Sequence, residues 1–268
     1  MHNEPRNENP SEPVLVAYFE KIKEKPDLQP NPEEFSNIFE NDEYRKQCFD
    51  EARKAFLFIY DKEKFNGYLN ADPSEEGKKY LKRVRRQGII LRAMYNFFDK
   101  SHQCPEDFHK FLSSLGEYND TYGLETSKRE NPQDVINLDN LEIPVNFTDN
   151  QDFKRYANET LSQIDELLKN PILPIEAFHD LRKRVRLCAD LMQVTAAENY
   201  GGNLHWLFAS MLELSTMLGE KHDQLVNKGL TGEIDYHLSM IDMADVDKSF
   251  ADKFRHLEPF IKKIIGIS

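Results

Sequence analysis

The chain has 268 residues, enough to bury a sizeable core in one large domain or two of ordinary size. Its 47 acidic and 35 basic residues leave a formal charge of −12, which excludes a protein that coats nucleic acid non-specifically. No stretch approaches the roughly 20 consecutive apolar residues of a membrane span, and the opening MHNEPRNENPSEP lacks the basic and apolar parts of a signal peptide, so a cytoplasmic protein without a membrane partner is expected.

Apolar residues recur at helical spacing almost throughout, which predicts an all-α fold. Residues 1–12 read as a disordered tail. Asn31-Pro32-Glu33-Glu34 combines a cap, a first-turn proline and early acids, predicting a short helix that ends near Asn41. A long helix is expected from Asp42 to Lys64, closed by Asn66-Gly67. Asp72-Pro73-Ser74-Glu75-Glu76 opens the next, over 75–99, and Cys104-Pro105-Glu106-Asp107 the one after. Between 127 and 149 the chain turns polar and is broken by Pro132 and Pro144, which marks a linker between a first half, 13–126, and a second half, 150–268. Further helices are predicted over 152–169, 175–198, 203–228, 232–243 and 246–264. The three cysteines, Cys48, Cys104 and Cys188, lie far apart with no CxxC spacing and read as free thiols.

Two features stand out against the acidic background. From Lys78 to Arg92 there are seven basic residues and no acid. The pattern Lys79-x-x-Lys82-Arg83-x-x-Arg86 then returns as His179-x-x-Arg182-Lys183-x-x-Arg186, 100 residues later. Leu115-Gly116-Glu117-x-x-Asp120 likewise returns as Leu218-Gly219-Glu220-x-x-Asp223, 103 residues later. At 100° per residue each basic set forms a stripe about a quarter of the helix surface wide, beside the apolar stripe of Phe178, Leu181, Val185, Cys188 and Met192. Such a stripe suits a groove between helices. Gly116 and Gly219 are expected to permit close helix approach, and Glu117, Asp120, Glu220 and Asp223 to pair with the basic stripes and position them.

Phe178-His179-Asp180-Leu181-Arg182-Lys183-Arg184-Val185-Arg186, followed by Leu218-Gly219-Glu220-x-x-Asp223, resembles the conserved-histidine α-helical domain (CHAD) family, with the similarity spanning about residues 45–268. The resemblance implies two pseudo-symmetric helical bundles whose basic helices face a shared groove that binds inorganic polyphosphate. Lys79, Lys82, Arg83, Arg86, His179, Arg182, Lys183 and Arg186 are then the candidate polyanion-binding residues. Arginine and lysine suit that role independently of any family, because their charge-assisted hydrogen bonds match phosphate oxygens. His179 adds a donor when protonated, which a bound polyanion favours by raising its pKa.

Two other readings compete. Glu106-x-x-His109 and Glu176-x-x-His179 have the spacing used by di-iron carboxylate bundles, although Glu106 also sits where a helix start favours an acid. A helical scaffold for a protein partner, with Trp206, Phe208 and the run to Leu218 as its surface, is the stronger rival. No HExxH, Walker loop or G-x-S-x-G occurs, so neither catalysis nor a cofactor or metal is expected.

Overall fold

A computed structural model describes residues 12–21, 26–70, 74–121, 145–199 and 202–267. Their architecture is all-α: α1 (Val14–Lys21), α2 (Asp42–Ile59), α3 (Lys62–Asn70), α4 (Glu75–Phe98), α5 (Glu106–Thr121), α6 (Asn150–Leu167), α7 (Ile175–Asn199), α8 (Gly202–Leu230) and α9 (Phe250–Ile265). A single antiparallel ribbon accompanies them among the described residues, β1 (Ile172–Pro174) with β2 (Met240–Asp242), in which Leu173 faces Ile241. No helix of the described residues is long and apolar enough to cross a membrane. Residues 1–11 of the expected tail, 1–12, and residues 127–144 of the expected linker, 127–149, lie outside the described residues.

Both basic helices begin where the sequence places them. Ser74 caps α4, accepting from the Gly77 amide at 3.0 Å, with Glu75 and Glu76 in the first turn where the helix dipole favours acids. α4 packs against α2 and α5; α7 packs against α6 and α8, and α4 against α7 joins the two sets. Gly88 lets α4 and α5 pack closely, because a Cβ there would collide with Leu112. Of the two glycines expected in that role, Gly116 meets the Arg85 side chain of α4 and Gly219 has nothing within 4 Å among the described residues.

Aromatic rings fill much of the core. Phe39, Phe98 and Phe153 meet with centroids 5.3–5.9 Å apart, and Phe56, Phe108 and Phe111 form a second group. Each buried phenylalanine contributes about 1.5–3 kcal/mol. The N-terminal segment belongs to this core. Leu15, Val16 and Tyr18 of α1 are buried against α2 and α7, and Phe35 packs edge-on to Phe260 of α9. Arg45 is buried as well; it donates to the Phe39 carbonyl at 2.7 Å and to Asp42 at 2.6 Å, fixing the turn before α2.

Three predicted helices differ from the structure. Over 31–41 only Pro32–Glu34 forms a 3-10 turn, because Phe35 and Phe39 leave the helical path to reach separate core partners. The 42–64 helix breaks after Ile59: Asp61 accepts from the Lys64 amide at 2.8 Å and starts α3, which carries Gly67 in its interior. Over 232–243 the chain forms a 3-10 turn, Tyr236–Leu238, and then β2. Asp235 and Asp242 accept from the amides of His237 and Ala244, and such local bonds compete with a continuous helix.

Candidate functional site

The two basic stripes meet where α4 crosses α7. Arg86 donates through Nη1 to Asp190 Oδ1 at 2.7 Å and through Nη2 to Gln193 Oε1 at 2.5 Å. Arg186 Nε lies 3.8 Å from the other oxygen of Asp190. Arg92, further along α4, and Lys183, earlier on α7, both act on His109 of α5, so α4 and α7 run antiparallel. One seam of α4, α5 and α7 therefore gathers Arg85, Arg86, Arg92, Arg182, Lys183 and Arg186.

Asp190 anchors this seam. It is 1% exposed, one turn beyond Arg186, in an otherwise apolar stretch from Leu187 to Met192. Its buried carboxylate faces the guanidinium groups of Arg86 and Arg186. Burial, reinforced by repulsion from Arg86, Arg85 and Arg182, pulls the Arg186 pKa down to about 10 although Asp190 opposes the shift. Arg186 remains cationic near neutral pH, in a field that favours an added anion. Its Nε is sealed from solvent without a hydrogen-bond partner among the described residues, while the side chain as a whole keeps 29% exposure. Arg85 lays its guanidinium against α5 at Gly116, where a Cβ would stand 2.7 Å from Nη2.

His179 belongs to a different arrangement at the start of α7. Its Nε2 lies 2.6 Å from Tyr236 Oη, which lies 3.2 Å from Nε2 of His222 on α8. Burial, followed by His222, Arg182 and Lys183, holds the His179 pKa down at about 4. The ring is neutral at pH 7 in the absence of an anion.

The remaining candidates divide clearly. Lys79, Lys82 and Arg83 are exposed on the outer turns of α4, and Lys183 is exposed on α7. Among the expected supporting acids, Glu117 and Glu220 are exposed, Asp223 pairs with its neighbour His222 at 3.3 Å, and the Asp120 side chain lies outside the described residues. Glu220 and Asp223 thus make no ion pair with the α7 stripe among the described residues, and within that stripe Arg186 lies 3.8 Å from Asp190. Asp190 and Gln193 were missed because their counterparts at the 100-residue offset are Ile90 and Ala93. Their legible signal was the i,i+4 step from Arg186 to a lone acid among apolar residues.

The di-iron spacing finds no support. Glu106 pairs with Lys110 at 2.7 Å, and His109 faces Arg92 and Lys183. No group of three His, Cys, Asp or Glu residues that could hold a metal occurs among the described residues. Cys48 and Cys188 are buried free thiols, and burial pushes Cys188 up to about 12, far from a reactive thiolate. No protein-family model matches the chain, and neither a curated protein nor a solved structure matches it.

Proposed function

We propose that the α4–α5–α7 seam binds a linear, phosphate-rich polyanion such as inorganic polyphosphate. The observation that carries this reading is the meeting of Arg86 and Arg186 at the single buried carboxylate of Asp190, with Arg85 and Arg182 near enough to act on Arg186, in a chain whose formal charge is −12. Arg186 Nε is buried without a hydrogen-bond partner among the described residues, and a buried charged donor left unmet is costly unless an anion completes it. Each hydrogen bond from an arginine to a phosphate oxygen contributes about 1.5–3 kcal/mol. A flexible chain of singly charged phosphates suits a seam spread over three helices better than a compact nucleotide does. The resemblance of 178–186 to the CHAD family supports the same ligand.

Calorimetry with long-chain polyphosphate, ATP and duplex DNA at two salt concentrations tests the proposal. Polyphosphate is expected to bind tightest and to weaken steeply with salt, as counterion release predicts. Equal affinity for DNA, or no heat with polyphosphate, favours instead a scaffold for a protein partner. Ile172, Leu230, Leu238 and Met240 favour that second reading, being large apolar side chains more than half exposed around the β1–β2 ribbon and the end of α8.

A further inference from the structure

The β1–β2 ribbon turns apolar side chains toward solvent on the face that an antiparallel ribbon ordinarily keeps polar. Leu173 and Ile241 are buried, so the alternating positions Ile172, Pro174, Met240 and Asp242 share the outer face. Asp242 is the only charged residue of these four, and both Ile172 and Met240 are more than half exposed. The apolar surface continues beyond the ribbon. Leu238, 78% exposed, stands two residues before Met240. Gly229 comes so close to Tyr236 that a Cβ would stand 3.0 Å from it, which brings the end of α8, carrying Leu230 at 80% exposure, against the same 3-10 turn.

The hydrogen-bond pattern shows which edge of the ribbon is open. The Met243 amide donates to the Pro171 carbonyl at 2.8 Å and the Ile175 amide to the Ser239 carbonyl at 3.1 Å, so Leu173 and Ile241, midway between, form the hydrogen-bonded pair of the ribbon itself. The backbone groups of the alternate residues point away from it. On β1 this outer edge is blunted, because Pro174 has no amide hydrogen to offer. On β2 it is not. Met240 turns its amide and its carbonyl outward, Asp242 turns its amide outward, and none of these three groups has a hydrogen-bond partner among the described residues.

We propose that the open edge of β2 is a homodimer interface, in which β2 pairs antiparallel with β2 of a second copy of this chain about a two-fold axis through Met240, extending the ribbon to four strands. A second copy is selected as the occupant by symmetry, charge and area. Two identical edges set antiparallel are self-complementary, so each copy supplies the donor and the acceptor that the other lacks. With the axis at Met240 the two Met240 side chains lie side by side and the two Asp242 carboxylates stand at opposite ends of the pairing, whereas an axis at Asp242 would set like charges face to face. The four apolar side chains, Ile172, Leu230, Leu238 and Met240, expose on the order of 500 Å², in the upper part of the range for the largest patch on a monomer, and with a polar rim they supply the core of an interface of about 800 Å² per partner.

Sedimentation of the full chain over a concentration series, without polyphosphate, tests this. The native chain is expected to form a reversible dimer with a dissociation constant in about the micromolar range, the weak end for an interface of this size. Met240→Lys is expected to weaken the dimer by roughly tenfold or more with helicity by circular dichroism unchanged, because it puts a charge on the pairing edge. Leu57→Lys, at an exposed apolar position of α2, is expected to leave the dimer intact. Met240→Cys reads the geometry separately. Residues opposed in a hydrogen-bonded pair have Cα atoms about 5.5 Å apart, within disulfide reach, so mild oxidation is expected to link two chains through position 240, and to link neither the native chain nor Leu57→Cys. A native chain that stays monomeric leaves the edge to a strand of a different protein and overturns the proposal. A dimer that survives Met240→Lys, that dissociates in Leu57→Lys, or that gives no cross-link through position 240 overturns it as well. Polyphosphate takes no part in the measurement, so each of these outcomes leaves the anion seam standing.

Discussion

The two copies of the basic stripe and its Leu-Gly-Glu partner are alike in sequence and unlike in surroundings. In the first, Lys79, Lys82 and Arg83 stay exposed, Arg86 crosses to Asp190, and Gly116 receives the Arg85 guanidinium. In the second, His179 is held by Tyr236, Arg186 lies beside the buried carboxylate, and none of the described residues stands within 4 Å of where a Gly219 Cβ would be. The lesson is that a repeat in residue type does not repeat the chemistry. What decides a side chain's role here is whether its stripe position falls at the helix crossing or on an outer turn.

The sharpest test of that difference compares equal charge losses. Replacing Arg182 and Arg186 together by alanine is expected to weaken polyphosphate binding by about 2–4 kcal/mol, allowing for non-additivity between neighbours. Replacing Lys79 and Lys82 is expected to cost less than about 1 kcal/mol, since exposed lysines act through a screened field. Calorimetry on both double variants decides; equal losses mean that total charge, and no seam, governs binding.

Asp190 is the asymmetric element, with Ile90 at the corresponding place in the first copy. Asp190→Asn is expected to lower stability by about 2–3 kcal/mol in urea unfolding. That is below the range for fully buried pairs because both arginine side chains keep some solvent contact. The same substitution is expected to tighten polyphosphate binding, because it removes the carboxylate that competes for the guanidinium groups. Loss of both properties together indicates that Asp190 positions the arginines more than it neutralises them.

Much of this was legible before the structure. Ser74 with Glu75 and Glu76 marked the start of α4, and the apolar period from Phe178 to Met192 marked α7. Arg86 and Arg186 hold the same place in their basic stripes, and it is Asp190 that both of them face. What escaped depended on tertiary partners. Phe35 and Phe39 abandon a well-capped helix start for Phe260 and Phe153, and Tyr236 leaves its expected helix to bridge two histidines. Local propensity is weak against such burial. Asp190 escaped because a search for repeats is blind to a residue present in one copy only.

The histidine in the second copy also sets a pH dependence that the lysine in the first does not. His179 has its folded pKa depressed from about 6.5 in the unfolded chain to about 4. Between those values the unfolded chain binds the proton and the folded chain does not, so stability is full above pH 6.5 and falls as pH is lowered toward 4. Discounted for partial exposure, the loss is about 1 kcal/mol. Urea unfolding at pH 7 and pH 4.5 is expected to show this difference shrinking in His179→Gln and persisting in Lys79→Ala.

The smallest effect separates the two glycines. Both lie inside helices, where alanine is favoured over glycine by about 1 kcal/mol. Gly219→Ala adds a methyl into open space in the interior of α8 and is expected to raise stability by about 0.5–1 kcal/mol, with polyphosphate binding unchanged. Gly116→Ala gains the same helix preference, but its methyl would stand 2.7 Å from Arg85 Nη2 and 3.0 Å from Nε, so the guanidinium must move off α5. A flexible side chain yields at little cost, which leaves stability within about 0.5 kcal/mol of the native chain. Binding, in contrast, is expected to weaken by about 1 kcal/mol as Arg85 leaves the seam. Urea unfolding and calorimetry on the pair read both properties. If the two variants prove equally stabilised and bind alike, the contact of Arg85 with Gly116 plays no part in the site, and the first copy contributes to it through Arg86 alone.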